Sequence, residues 1–401
     1  MCSVTRTDAA GKTADKISLG QVLRTWRRSR GEHLPGLPPH HGKVIGRLAA
    51  CRTPDMGGHV YRCEDCGRDH FVPHSCRDRH CPTCQPMRGF DWMEAQVESL
   101  LPVPYFHVVF TLPHELYPLI TQNQAALYRL LFDTASSILL EFGRNRFQAQ
   151  IGVTTVLHTW GQNLSDHYHL HCIVTGGGLR LDGSGWSKCP KHYLFPVKAL
   201  STKFRGKYRA GLQRLFEAGE LEFHGKMKAN RTPGAFRKLL WRACREKWVV
   251  YAKRPFAGPE QVIAYLARYT HRAGITNHRI KHLDETRRQV TFHYKDYADR
   301  NRHKEMTLSL DEFVRRFRLH ILPARFVKIR HYGLLSNRNR KEKVAQARKA
   351  LGVKSSELAK LLARVNESRE PPSPKCPHCE SANVRLIQVI IPAWRTARAP
   401  P

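Results

Sequence analysis

The chain reads as an α+β protein, and three observations carry that class. Short β-branched runs alternate with a period of two, the clearest being DHYHLHCIVTGGG from Asp166. Apolar stripes at helical spacing stand between such runs, as from Gln122 to Phe142. Two C-x2-C pairs precede both and mark a small metal-held module.

At 401 residues the chain has room for two or more domains. Its 67 Lys and Arg against 33 Asp and Glu leave a formal charge of +34, which calls for a polyanionic partner. The basic residues are interleaved with aromatics, as in KFRGKYR from Lys203 and FVRRFRLH from Phe313, which suits a long nucleic-acid surface better than a single basic tail. No run of about 18 apolar residues exists, and MCSVTRTDAAGK lacks a signal core. A cytoplasmic protein is therefore expected, nucleoid-associated when acting, with no membrane partner. Twelve cysteines in such a compartment point to metal thiolates rather than disulfides.

In chain order, residues 1–16 read as a disordered N-terminus and 17–100 as a zinc-binding, DNA-recognition module. Leu19, Val22, Leu23 and Trp26 share one face of a short basic helix, and a second helix is expected from His40 to Ala50. Cys63, Cys66, Cys81 and Cys84 then form two knuckles. Each knuckle turns tightly enough to aim two thiolates at one point, so the four predict a closed tetrahedral zinc site, with Cys76 or His80 as alternatives for one ligand. A closed site does no chemistry. It stabilises a basic module in which Arg77 and Arg79 are candidates for phosphate contact.

Residues 101–333 are expected to form the catalytic domain. YFHVVFTLP from Tyr105 reads as a buried strand and Gln122–Phe142 as a core helix. On the strand from Tyr168 to Val174, the period of two puts His167, His169 and His171 on one face and Tyr168, Leu170 and Cys172 on the other. His169 and His171 make half a metal site. The β-branched IGVTTVLHTWG before them brings His158 alongside on an adjacent antiparallel strand, with Gln162 and His167 competing as third ligand. Open positions for water and phosphate oxygens would suit Mg, Mn or a similar ion. Gly176, Gly177 and Gly178 read as a turn that ends the strand.

From Ala199 to Lys253 the pattern is helical and basic. GPEQVIAYLARYTHRAG is a delimited helix, with Pro259 in its first turn and Gly274 as its stop. It carries Tyr265 and Tyr269 one turn apart, beside a row formed by Arg268 and Arg272. The phenols suit a packed core; they also suit nucleophilic attack on a phosphodiester. ITNHRIKHL and QVTFHYKDY flank a polar turn as a hairpin, a helix runs from Ser309 to His320, and PARFVKIRHYG suits backbone contact and base stacking. Residues 334–370 read as a basic helical extension and 371–401 as a largely disordered tail. In that tail CPHC, Cys376 to Cys379, is half a zinc knuckle.

Together SCRDRHCPTC, the FTLP strand, HTWGQNL, HYHLHCIVTGGG and YLARYTHR resemble the two-tyrosine rolling-circle transposases of bacterial insertion sequences, the IS91 group of the HUH endonuclease superfamily. The resemblance spans about Ile17 to Ala350. It implies a nuclease core with a central antiparallel sheet flanked by helices, the HUH strand in the middle. It further implies His169 and His171 as metal ligands, His158 as the third histidine, and Tyr265 and Tyr269 as nucleophiles forming a 5′-phosphotyrosine on single-stranded DNA at element ends. No nucleotide cofactor is needed, since the covalent bond conserves the energy. A replication initiator or relaxase would share this chemistry, and a non-enzymatic zinc-containing nucleic-acid binder would share the charge and cysteines without the histidines and tyrosines.

Overall fold

The computed structural model describes residues 17–31, 36–87, 92, 96, 98–190, 194–253, 262, 273–297, 299–354 and 375–392. Helix α1 (Leu19–Arg30) begins at Ser18, whose hydroxyl accepts from the Gln21 N–H while the Gln21 side chain accepts from the Ser18 N–H. It packs Val22, Leu23 and Trp26 on Val44, Ile45 and Leu48 of α2 (Pro39–Ala50). A hairpin of β1 (Gly58–Cys63) and β2 (Asp69–Pro73) follows.

The next unit opens with β3 (Tyr105–Thr111), α3 (Tyr117–Gln122) and the long α4 (Gln124–Phe147). Strands β4 (Ala149–Trp160) and β5 (Asp166–Arg180) come next, with short β6 (Trp186–Lys188) on the end of β5. Helices α5 (Val197–Glu217) and α6 (Pro233–Arg245) lead to β7 (Val250–Lys253). The stretch to Lys253 is thus not helical throughout: its last four residues add a strand to β3. A meander of β8 (Ile280–Asp284), β9 (Gln289–Asp296) and β10 (Arg302–Ser309) extends the expected hairpin by one strand. Helix α7 (Leu310–Leu319), β11 (Ile329–Gly333), α8 (Arg340–Ala350) and β12 (Val384–Ile390) complete the described elements.

The main sheet has the order β11-β4-β5-β3-β7, antiparallel throughout, so the histidine-bearing β5 is its middle strand. Tyr168, Leu170, Cys172 and Val174 on one face of β5 are all 0 % exposed and pack against Leu131, Ala135 and Ile138 of α4 and their neighbours. At about 2 kcal/mol each, these four side chains hold about 8 kcal/mol, comparable to the whole stability of a domain. A one-residue slip would forfeit that and push imidazoles into the core, so the register is locked. The glycines 176–178 do not end β5. It runs on to Arg180 because bare backbone allows close crossing: a Cβ on Gly178 would meet the Gln150 carbonyl oxygen at 2.4 Å.

The N-terminal helices do not stand apart. Leu19, Leu23, Trp26 and Ile45 share a core with Ile280, Phe292, Phe313 and Phe317, and the Trp26 indole donates to Asp311 at 2.7 Å. Among the described residues, no helix is long and apolar enough to cross a membrane.

Candidate metal centres

Strand pairing sets His158 on β4 directly opposite His169 on β5, with His171 two residues along on the same face. One ring nitrogen from each of His158, His169 and His171 lies within 4.8 Å of the others. The ring centroids are 5.4 Å apart for His158 and His169, 4.5 Å for His158 and His171, and 4.8 Å for His169 and His171. Of the three candidates for third ligand, His158 is the one whose ring nitrogen is brought together with those of His169 and His171, and its ring stacks on Trp160. The His167 ring is turned to Tyr117, its Nδ1 lying 3.4 Å from the hydroxyl, and the Gln162 amide donates to the Tyr297 hydroxyl at 3.3 Å. Both still line the cavity of about 650 Å³ that the triad floors, together with Lys253 and Tyr294.

The ring orientations are set from behind. His169 Nδ1 is 2.8 Å from the His167 carbonyl oxygen, which can only accept, so Nδ1 carries the proton and Nε2 keeps its lone pair. Burial and the neighbouring imidazoles His171 and His167 hold His169 well below the ordinary histidine range, so it is neutral at pH 7. His171 Nδ1 is 2.8 Å from Nε2 of His107 on β3, and the two rings lie nearly parallel. Burial, with Lys253 and His169 adding to it, pushes His107 down to about 4. Sequence reasoning misses His107, because it sits in a run of apolar residues buried on both faces, where one imidazole looks like a core residue.

The cysteines pair differently from their spacing. Cys63 and Cys66 do not meet Cys81 and Cys84. Cys51, Cys76, Cys81 and Cys84 form one group, and Cys63, Cys66, Cys376 and Cys379 another. The hairpin is the reason: Cys63 and Cys66 lie at its tip, whereas Pro73, opposite Gly58, leads back from its base to Cys76. Five strand steps separate tip from base by about 16 Å, too far for four thiolates to share one ion. Cys51, at the end of α2, and Cys76 take the vacant places; His80 does not, its Nδ1 facing Asp78 at 2.8 Å and its Nε2 accepting the Leu322 N–H at 3.1 Å.

In the first group Sγ separations are 3.5 Å for Cys51 and Cys84, 3.6 Å for Cys51 and Cys81, and 3.6 Å for Cys76 and Cys84. A tetrahedron with Zn–S bonds of about 2.3 Å has edges of about 3.8 Å, so the donors fit structural zinc and are too far apart for disulfides. The Cys76 N–H points at Cys51 Sγ at 3.4 Å, a bond that suits a thiolate.

Of the residues expected to contact phosphate, Arg77 is exposed. Arg79 is instead turned inward, donating to the carbonyls of Pro323 at 3.1 Å and of Phe326. On β11, Arg330 lies 4.2 Å over the Phe132 ring, which makes that stretch a packed edge strand. Tyr265, Tyr269, Arg268 and Arg272 lie outside the described residues.

A family model described as "Putative transposase" matches residues 152–343, and one described as "Transposase zinc-binding domain" matches residues 21–112. The "Putative transposase y4qJ" of Sinorhizobium fredii is 41% identical over 355 residues, covering 86% of this chain and 89% of that protein. The "Transposase for insertion sequence element IS801" of Pseudomonas savastanoi pv. phaseolicola is 28% identical over 310 residues, covering 76% and 72%. No solved structure matches. The protein is a transposase, an enzyme class that processes DNA, and its N-terminal part is a zinc-binding domain. The chain belongs to the IS91-type transposase family.

Proposed function

We propose that this transposase cleaves and rejoins single-stranded DNA at element ends through a tyrosine nucleophile, in rolling-circle transposition, with a divalent ion held by His158, His169 and His171. The observation that carries the reading is the convergence of three imidazole nitrogens, two from the middle strand β5 and one from its neighbour β4, facing an open cavity with Lys253 in its wall. Three ligands on one side leave positions open on the other, unlike the closed thiolate group. A bound Mn or Mg ion would act there as a Lewis acid on a phosphodiester oxygen, and imidazole is a softer donor than the oxygens Mg favours, so Mn is the better fit.

The chain's own residues supply the rest. The phenolic oxygen of Tyr265 or Tyr269 attacks phosphorus, the P–O3′ bond breaks, and the 5′ phosphate stays on the tyrosine. The phenol proton passes to water and the departing 3′ oxygen ends as a hydroxyl. In joining, a 3′ hydroxyl attacks the phosphotyrosine and the phenol is restored, while the second tyrosine permits a further transfer without release. The excess of basic residues grips the strand through its phosphates. The test is a covalent protein–DNA adduct that survives denaturant, formed with single-stranded element ends and Mn. Tyr265→Phe combined with Tyr269→Phe should abolish it, and an adduct that persists in the double variant would refute the nucleophiles.

Ligation through Nε2 of His171 requires its proton on Nδ1, and His107 Nε2 is the atom placed to receive that hydrogen bond. His107→Ala is expected to weaken Mn binding about 10- to 100-fold in a calorimetric titration. His107→Gln should recover part of it, because an amide oxygen accepts the same proton. Mn affinity unchanged in His107→Ala would remove His107 from this role.

A further inference from the structure

We propose that Cys63, Cys66, Cys376 and Cys379 hold a second structural zinc, closing a ribbon whose halves come from the two ends of the chain. The matched zinc-binding domain covers residues 21–112 and does not reach the last two of these ligands. Their four Sγ atoms lie within 4.8 Å of one another, with 3.5 Å between Cys63 and Cys379 and 3.7 Å between Cys66 and Cys376. These are again close to the edges of about 3.8 Å of a zinc–thiolate tetrahedron, and well beyond a sulfur–sulfur bond.

The two knuckles are built alike. The Cys63 N–H donates to the Arg68 carbonyl at 2.9 Å and the Gly67 N–H to the Cys63 carbonyl at 2.9 Å. The Cys376 N–H donates to the Ser381 carbonyl at 2.8 Å and the Glu380 N–H to the Cys376 carbonyl at 2.9 Å, the same two bonds at the same offsets. The residue after the second cysteine is left-handed in both, Gly67 at φ 69° and Glu380 at φ 59°. A glutamate accepts that conformation at a cost, which the surroundings must offset. Such duplication is what a zinc ribbon requires: two turns presenting two thiolates each, on adjacent strands.

The strands are adjacent. β12 pairs antiparallel with β1 from Gly58 opposite Ile390 to Cys63 opposite Val384, making a three-stranded sheet with β2. Asp65 accepts from the Ser381 hydroxyl at 2.5 Å and the Asn383 amide at 2.8 Å, and Arg385 pairs with Glu64 at 2.7 Å. Apolar burial contributes little here, for Leu386, Ile387, Val389 and Ile390 on β12 are exposed. Ladder and surface polar bonds alone are weak support for joining residues 310 apart in sequence, so a metal is the group that makes this closure stable.

Elemental analysis of the purified full-length protein should find two zinc ions per chain. Cys376→Ser combined with Cys379→Ser should leave one, and amide exchange across residues 384–390 should become fast. Because that variant could lose more than the clasp, native alkylation of the wild type gives an independent reading: Cys63, Cys66, Cys376 and Cys379 should resist modification until a chelator is added. Two zinc ions retained in the double variant, ready alkylation of these four thiols without chelator, or intact mass showing them as disulfides would each overturn the proposal.

Discussion

Under the proposed chemistry, His169→Ala lowers cleavage of single-stranded element ends about a thousandfold while salt-sensitive DNA binding survives. The magnitude follows from what the ion supplies, since charge stabilisation at a phosphoryl oxygen worth about 4 kcal/mol corresponds to about three powers of ten in rate. Binding survives because the phosphate grip is spread over a chain of net charge +34, of which a neutral imidazole is no part. The fold should also survive, since the His169 ring faces the cavity while Tyr168 and Leu170 on either side fill the core. Cleavage assays and salt-titrated binding on one preparation check both halves. Cleavage at the wild-type rate in the variant would remove the metal from the mechanism.

Cys84→Ser is expected to cost the N-terminal module its folded state. A structural zinc contributes on the order of 10–16 kcal/mol of apparent binding energy, at least as much as the ~5–15 kcal/mol that holds a whole domain. The loss should spread, because Leu23 and Trp26 share a core with Phe292 and Phe313 across the chain. Amide exchange should therefore rise in α1 and α2 and also in α7, whose Asp311 accepts from the Trp26 indole. A chelator applied to the wild type should reproduce the change. A variant lacking one zinc yet showing native exchange throughout both regions would mean that these thiolates do not hold the module together.

Much of the candidate site is legible in the residues. The alternation in YHLHCIV places histidines and core residues on opposite faces whatever the sheet around them, and the short connection from β4 to β5 makes His158 a neighbour of His169. His107 escapes because strand β3 is buried on both sides, so its pattern carries no period to interrupt. Strand β7 escapes because VYAK follows two long helices and is too short to announce a change. Gly176 to Gly178 look like a turn, yet they are where two backbones pass too closely for a side chain.

The cysteines mark the boundary between the two kinds of knowledge. Residue order alone established that knuckles exist, that they suit zinc, that the charge suits a polyanion, and which face of β5 bears imidazoles. These depend on local backbone geometry, which a few neighbouring residues dictate. Which knuckle joins which depended on the path between them: a hairpin holds Cys63 and Cys66 away from Cys81 and Cys84, and a strand from the far end of the chain brings Cys376 and Cys379 to meet them. Partnership at long range is settled by packing and strand pairing, and spacing in the sequence carries no measure of either.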